Sequence, residues 1–400
     1  MTAALAQAHA LDQISLGKIV QIRERLLHAQ AAGQTVYRLE SGDPSFAVAP
    51  HILDAIGAAA AAGRTHYVPN DGVPELRSAL AEKLRTRNGI TGVTAADVFV
   101  TNGAMHALHA TFGALLAPGD EVIIPDPMWT EVADNIRLAG GVPIGVPLRA
   151  DRDFEYDPDD IAAGVTDRTV AIFLNTPHNP TGAVLSADTL RRIGALAEAR
   201  DLFLVSDEAY EDVIHAPAVH HSIAALLPGY AHRVVSIFSF SKSYAMSGLR
   251  VGYIVTADAA LKDRIPKLLR CTINGVNSLA QWGARAAVTG DQSQLATMRA
   301  EYATRREILL QALTGIEGVR PFAPRGAFYV WAQLDPSVYA RLGVADADAV
   351  SDLLAERGIG SAPGSAFGAA SADAIRFAYS CATAMVRDGA RAARAVLTGA

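Results

Sequence analysis

The sequence predicts an α/β protein: a large domain built on a mostly parallel sheet covered by helices, joined to a smaller α+β domain. Three observations predict it. TVAIFLN (169–175), LFLVSD (202–207) and VVSIFSF (234–240) are short apolar runs that read as strands buried on both faces. The first two are separated by a segment of helix length, the spacing of a crossover between parallel strands. The chain has 400 residues and is half apolar, and its pattern changes near residue 290. That length favours two domains sharing an interface.

Residues 16–32, LGKIVQIRERLLHAQAA, place Ile19, Ile22, Leu26 and Leu27 on one helical face, and Gly33 stops the run. TVYRLE (35–40) reads as a strand and SGDPSF (41–46) as a turn cluster. GAAAAAG (57–63) is a local helix of small residues, and ELRSALAEKLRTRNG (75–89) is a helix ended by Asn88-Gly89. VFVT (98–101), a helix from Ala104 to Leu116, PGDEVIIPDP (118–127) and GVPIGVPL (141–148) continue the alternation. Beyond residue 290, MRAEYATRREILLQAL (298–313) forms one long amphipathic helix. Short strands in GAFYVWAQL (326–334) and IRFAYS (375–380) follow, with two more helices. The expected boundaries are a large domain over 41–290 and a small domain made of 1–40 with 291–400.

Composition narrows the function. The formal net charge is −6, and no long basic run exists, which argues against nucleic acid as a partner. Cys271 and Cys381 are the only cysteines, so no disulfide framework is implied and a reducing compartment is expected. The first fifteen residues lack the basic start and apolar core of a secretory signal. No apolar run approaches the roughly 18 residues that span a bilayer. A soluble, cytoplasmic protein is the expectation. The chain has no G-x-x-x-x-G-K-[ST], no G-x-G-x-x-G after a strand, no H-E-x-x-H and no G-x-S-x-G. A P-loop NTPase, a nicotinamide enzyme and a metallohydrolase are therefore disfavoured. His106 and His109 share a helix face but lack a third ligand, so packing or capping is expected of them, not metal. His220 and His221 read as solvated loop residues.

Three of the predicted strands run straight into polar residues: Asn175, Asp207, and Ser239 with Lys242. Ligands of open α/β sheets bind at such strand ends. Lys242 sits among three serines in SFSKSYAMSGLRVGY (239–253), a small, polar, glycine-edged setting that a solvated lysine does not need. A lysine that must bond to a flat, phosphate-bearing aldehyde does. Pyridoxal phosphate needs that lysine, a carboxylate for its ring nitrogen, a phosphate cradle, a flat residue on its ring face and a hydrogen bond to its ring hydroxyl.

SGDP (41–44), YVPNDGVPELR (67–77), PDPMWTE (125–131), NTPHNPTG (175–182), VSDEAYE (205–211), SFSKSYAMSGLRVGY, RGAFYVW (325–331) and IRFAYS occur here in the order found in one family. The chain resembles the class I and II aminotransferases of pyridoxal-phosphate fold type I, aspartate-aminotransferase-like members above all, from residue 41 to 380. The resemblance implies a seven-stranded sheet in the large domain and pyridoxal 5′-phosphate as cofactor. Lys242 would bond covalently to it and shuttle the proton between Cα and the cofactor, which requires a neutral amine and hence a lowered pKa, with Arg250 contributing. Asp207 would pair with the ring nitrogen; its plainer reading is a helix cap. Tyr210 and Asn179 would bond the ring hydroxyl, although N-P-T-G alone is also a turn. Ser239, Arg250 and the N–H groups of Gly103, Ala104 and Met105 at a helix start would hold the phosphate. Tyr67 would reach it from a second subunit, implying a homodimer with shared active sites. Trp129 would stack on the ring. Met128 departs from the aromatic that relatives often carry before the tryptophan. Tyr67 and Trp129 could each instead be core aromatics.

For substrate, Arg376 would grip the α-carboxylate, its alternative being a structural salt bridge, and Gly42 would let backbone approach from the small-domain side. Asn179 and Trp129 would also face the substrate. An acidic side chain asks for a second cation, and Arg270 is the candidate. The implied reaction moves an amino group between an L-amino acid, aspartate-like as the best choice, and a 2-oxo acid such as 2-oxoglutarate. Aromatic or branched-chain donors, a C–S lyase or cyclase on the same scaffold, and a non-catalytic regulator remain alternatives; the regulator would need a DNA-binding domain, and no helix-turn-helix fits before residue 41.

Overall fold

The computed structural model describes residues 10–14 and 16–400. Seven strands form the larger sheet: β1 (Val98–Thr101), β2 (Glu121–Asp126), β3 (Val142–Pro147), β4 (Thr169–Asn175), β5 (Phe203–Asp207), β6 (Val234–Ser239) and β7 (Gly252–Thr256). Their order is β1-β7-β6-β5-β4-β2-β3. β2 through β6 pair in parallel, and β7 alone runs against its neighbours β1 and β6. The remaining strands, β8 (Val319–Phe322), β9 (Tyr329–Leu334), β10 (Ala362–Pro363) and β11 (Ala374–Ala378), make an antiparallel sheet ordered β10-β11-β9-β8.

The two-residue alternation along the central strands explains why both faces of the larger sheet are buried. Phe173, Val205 and Ile237 face one layer with Leu108, Phe112, Ile136 and Ile265 from the helices Gly103–Leu115, Thr130–Leu138 and Ala259–Thr272. Ile172, Leu204 and Phe238 face the other, against Leu80, Ile193 and Ala284 from Pro74–Thr86, Ala187–Ala199 and Ser278–Thr289. A separate core joins Val330 and Phe377 of the smaller sheet, and Phe328 just before β9, to Leu309, Leu313 and Val386 of the helices Ser293–Leu313 and Thr383–Thr398. Leu39 belongs to this core although it lies far upstream in sequence. No helix of the described residues is long and apolar enough to cross a membrane.

Two expectations about the N-terminal segment need correction. TVYRLE is no strand: Tyr37 makes a single parallel bridge to Ile359, and the Leu39 N–H turns back onto the Tyr37 carbonyl at 2.9 Å. That bond ends the ladder, so the segment then feeds one carbonyl, that of Leu39, to β11 through the Ala378 N–H. In the helix Lys18–Ala31, Ile22 and Leu26 are buried as expected, whereas Leu27 is 41% exposed. The helix buries only a narrow stripe, against Val36 and Ala355, and Leu27 lies past its edge.

Candidate active site

Strand direction assembles the site. With β1, β2, β4, β5 and β6 aligned, their C-terminal ends share one edge of the sheet, and the reversal of β7 brings its N-terminal end to that same edge. Asn175 is therefore in register with Asp207, and both Ser239 and Thr101 are in register with Gly252. A cavity of about 420 Å³ opens along this edge. Its walls carry Ala104, Met105, Met128, Trp129, Asn179, Asp207, Tyr210, Ser239, Lys242 and Arg250 from the large sheet and its loops. Gly42 closes it from the N-terminal segment, and Tyr329 and Arg376 from the smaller sheet.

Lys242 lies in the single helical turn Phe240–Ser243 that follows β6, and its Nζ donates to the Gly42 carbonyl at 2.7 Å. Burial draws its pKa down to about 8, with Arg250 and Arg376 adding to the effect and Asp43 and Asp207 opposing it. Desolvation, more than the expected neighbour Arg250, is the main cause. Asp207 ends β5 and is 5% exposed. Its Oδ1 accepts the Ala209 N–H at 3.0 Å, so the capping bond exists too. Burial still pushes its pKa up to about 6. One backbone donor does not repay the loss of water around a carboxylate.

Arg376 sits in β11, buried, with its guanidinium stacked 4.3 Å from the Tyr329 ring centre and 4.8 Å from that of Phe367. Nη1 donates to Asn179 Oδ1 and Nη2 to the Glu40 carbonyl, both at 2.9 Å, while its buried Nε has no partner. Among the described residues no acid forms an ion pair with it. Asn179 is fixed in turn by its N–H donating to Asn175 Oδ1 at 2.8 Å. The Tyr210 and Tyr329 hydroxyls share a hydrogen bond of 2.8 Å, and burial with that neighbour raises the Tyr210 pKa.

The expected anion cradle is tight. Gly103 begins its helix at φ 79°, and a Cβ there would come within 2.3 Å of Arg250 Nη2, so only glycine lets the guanidinium lie against the helix start. Ser239 caps the turn carrying Lys242 by accepting the Ser241 N–H at 3.2 Å. A Cβ on Gly42 would meet the Tyr329 hydroxyl at 2.3 Å, which explains a glycine where backbone crosses the cavity. Trp129 is half-buried on the wall; Met128 is buried, its N–H donating to the Phe367 carbonyl at 2.7 Å.

Not every expected residue gathers here. Tyr67 is 91% exposed beside a separate depression bordered by Asn274 and Gly275, and it does not line the cavity of its own chain. Arg270 is exposed in the last turn of Ala259–Thr272 and, like Tyr67, does not line the cavity of its own chain. His220 is not solvated: its Nε2 lies 2.9 Å from Glu208 Oε2, which also receives the Ser222 hydroxyl. Glu208 is fully buried by these partners and stays structural. Sequence reasoning missed Tyr329, Glu131 and Arg23, all on the cavity wall. Tyr329 lay within a recognised motif, so its signal was present. Glu131 likewise closes the recognised motif PDPMWTE, whereas Arg23 had no signal, because only the packing of its helix decides which way it turns.

Over residues 34–392 the chain matches the family Aminotransferase class I and II. It is 36% identical to the aspartate aminotransferase of Geobacillus stearothermophilus over 359 residues, 90% of each chain. It is 37% identical to a probable aspartate/prephenate aminotransferase of Thermus aquaticus, across 88% of this chain and 89% of that one. The structure of Thermus thermophilus aspartate aminotransferase with maleate superposes with a TM-score of 0.91 at 30% identity, covering 98% of this chain and 100% of that chain. Converging strand ends and a cavity that holds a lysine amine and an arginine accompany a family match over nearly the whole length: the chain belongs to the class I and II aminotransferases and is a transaminase.

Proposed function

We propose that this enzyme moves an amino group between an L-amino acid, aspartate-like as the best single choice, and a 2-oxo acid such as 2-oxoglutarate, with pyridoxal 5′-phosphate as cofactor. One observation carries the reading: the Lys242 amine, drawn down to about 8, shares a cavity with Asp207, whose carboxyl is buried and has no cation beside it at bonding distance. The residues present fit the cofactor. A protonated ring nitrogen is the partner that Asp207 lacks. The helix start at Gly103 with Arg250 and Ser239 offers converging N–H and guanidinium donors to a phosphate. Bound there, the cofactor supplies an aldehyde carbon and an electron-poor ring that accepts the charge left when Cα loses its proton.

Each residue then has a separable task. Arg376 binds the α-carboxylate, and its stacking on Tyr329 and Phe367 holds the fork in one plane. Asn179 accepts from Arg376 through its Oδ1, so its amide N–H groups would remain for the ring hydroxyl, which Tyr210 would also bond. Trp129 covers a ring face. Lys242 Nζ, whose charge burial disfavours, takes the Cα proton in its neutral form and returns it on the other side of the reaction. Tyr67, exposed on its own chain, acts on the phosphate of a second copy, which makes the working unit a homodimer. Cys271 and Cys381 are free thiols, which suits the cytoplasm.

The test is a panel of twenty L-amino acids against 2-oxoglutarate, pyruvate and oxaloacetate, using purified protein loaded with cofactor. Formation of a new 2-oxo acid from at least one pair is expected. No transfer across the panel would defeat the reading, and ammonia release in place of transfer would redirect it to a lyase.

A further inference from the structure

We infer that Arg23 reads the distal carboxylate of dicarboxylic substrates and so sets the preference for acidic amino acids and their 2-oxo acids; this rests on the transaminase reading above. Every amino acid presents an α-carboxylate, so Arg376 cannot distinguish one donor from another. Discrimination needs a second cation on the cavity. Four basic side chains line it: Arg23, Lys242, Arg250 and Arg376. The last three are engaged in covalent chemistry, phosphate binding and α-carboxylate binding. Arg23 is the one left.

The helix Lys18–Ala31 is turned so that Arg23 must face this way. Lys18 pairs with Asp348 and donates to Ser365 Oγ at 2.9 Å, and Arg25 Nη1 binds Asp352 Oδ1 at 2.7 Å. Asp348 and Asp352 lie one turn apart on the helix Ala347–Glu356, so the two pairs form a ladder that fixes rotation. Ile22 and Leu26 are buried beside Val36 and Ala355, which fixes the same rotation independently. Ile19 and Arg23, four residues apart, are thereby presented together to the cavity. Unlike Lys18 and Arg25, Arg23 makes no ion pair or hydrogen bond among the described residues. Its neighbours on the wall, Ile19, Val20 and Met105, are apolar and suit the methylenes of a short dicarboxylate. Of the acids on the wall, Asp43 accepts from Ser247 at 2.6 Å, the Glu40 carboxylate pairs with Arg38, and Asp207 accepts the Ala209 N–H. Glu131 accepts from the Thr130 hydroxyl at 3.2 Å, so among the described residues none of these four acids pairs with the Arg23 guanidinium.

Arg23 is exposed, which keeps the expected effect moderate and sensitive to salt. In the cofactor-loaded enzyme, Arg23→Gln should lower kcat/KM for aspartate and glutamate about tenfold, while alanine, leucine and tyrosine change by less than about twofold. Arg23→Lys should recover part of the loss. Succinate, used as a binding probe, should weaken by a similar factor and propionate should not. Raising the salt should shrink the difference between wild type and variant. A wild type without preference for acidic donors, or an equal change for acidic and neutral donors in Arg23→Gln, overturns the assignment. An active variant of unaltered specificity therefore sinks Arg23 alone; a wild type that transfers no amino group at all sinks the transaminase reading beneath it.

Discussion

Replacing Arg376 by lysine keeps a cation at the carboxylate site and removes its geometry. The guanidinium holds Asn179 Oδ1 and the Glu40 carbonyl at 2.9 Å each and is sandwiched near two rings. A lysine ammonium cannot donate to both partners and also offer a planar pair of donors to a substrate. It loses one charge-assisted hydrogen bond to the carboxylate, about 1.5–3 kcal/mol, and leaves one buried acceptor unpaired at about 1 kcal/mol or more. The sum, about 2.5–4 kcal/mol, corresponds to a fall of roughly 70- to 1000-fold in kcat/KM. The assay is steady-state transfer from the best donor to 2-oxoglutarate, run beside spectroscopic titration of the apo-protein with pyridoxal phosphate. Substrate turnover should collapse while cofactor affinity changes by less than about threefold, since Arg376 is assigned to the substrate. A loss under tenfold in kcat/KM, or a cofactor affinity that falls in step with it, would refute the reasoning.

Asp207→Asn should cost about 2–4 kcal/mol of transition-state stabilisation, roughly 30- to 1000-fold in kcat, because a neutral amide cannot hold a ring nitrogen protonated. The same variant should not destabilise the apo-protein. The folded pKa of Asp207 is raised to about 6, so its contribution is fully present below the unfolded value of roughly 4 and is lost as pH rises through about 6. Asparagine escapes that loss and can keep the Ala209 hydrogen bond, so thermal melts at pH 7 to 8 should show an apo-variant at least as stable as wild type. For Lys242 the sign is reversed: its folded pKa is depressed to about 8, so the amine is neutral above that pH and charged below it. The rate at which apo-protein takes up pyridoxal phosphate should therefore climb with pH to a plateau with a midpoint near 8; a midpoint near 10, measured by stopped-flow absorbance, would place the amine in water. Gly103→Ala puts a methyl within 2.3 Å of Arg250 Nη2 at a φ of 79°. Phosphate-bearing cofactor should bind at least tenfold more weakly, while pyridoxal without its phosphate loses little.

The central strands were legible because burial on both faces leaves an unbroken apolar run, and their polar terminators Asn175, Asp207 and Ser239 fall on one edge once the strands are parallel. The reversal of β7 was not legible, since VGYIVT carries no mark of direction. It matters, because it brings Arg250 to the cavity. TVYRLE looked like a strand from its β-branched and aromatic residues, yet Tyr37 finds only one bridging partner. Lys242, Asp207 and Arg376, the arginine proposed for the α-carboxylate, lay within recognisable motifs. Arg270 turns away from the cavity of its own chain although it lies near a motif in sequence, and Arg23 went unnoticed because helix rotation is set by Asp348 and Asp352, more than three hundred residues away. His220 was lost for a similar reason: its partner Glu208 sits on the strand-end loop, a contact that local sequence does not announce.

The account rests on the amine of residue 242 being the group that captures the cofactor. Borohydride reduction of the loaded enzyme, followed by proteolysis and mass mapping, tests it without relying on turnover. A reduced cofactor adduct confined to the peptide containing Lys242, and absent from Lys242→Ala, is the predicted result. An adduct on another lysine, or an adduct undiminished in Lys242→Ala, would contradict it.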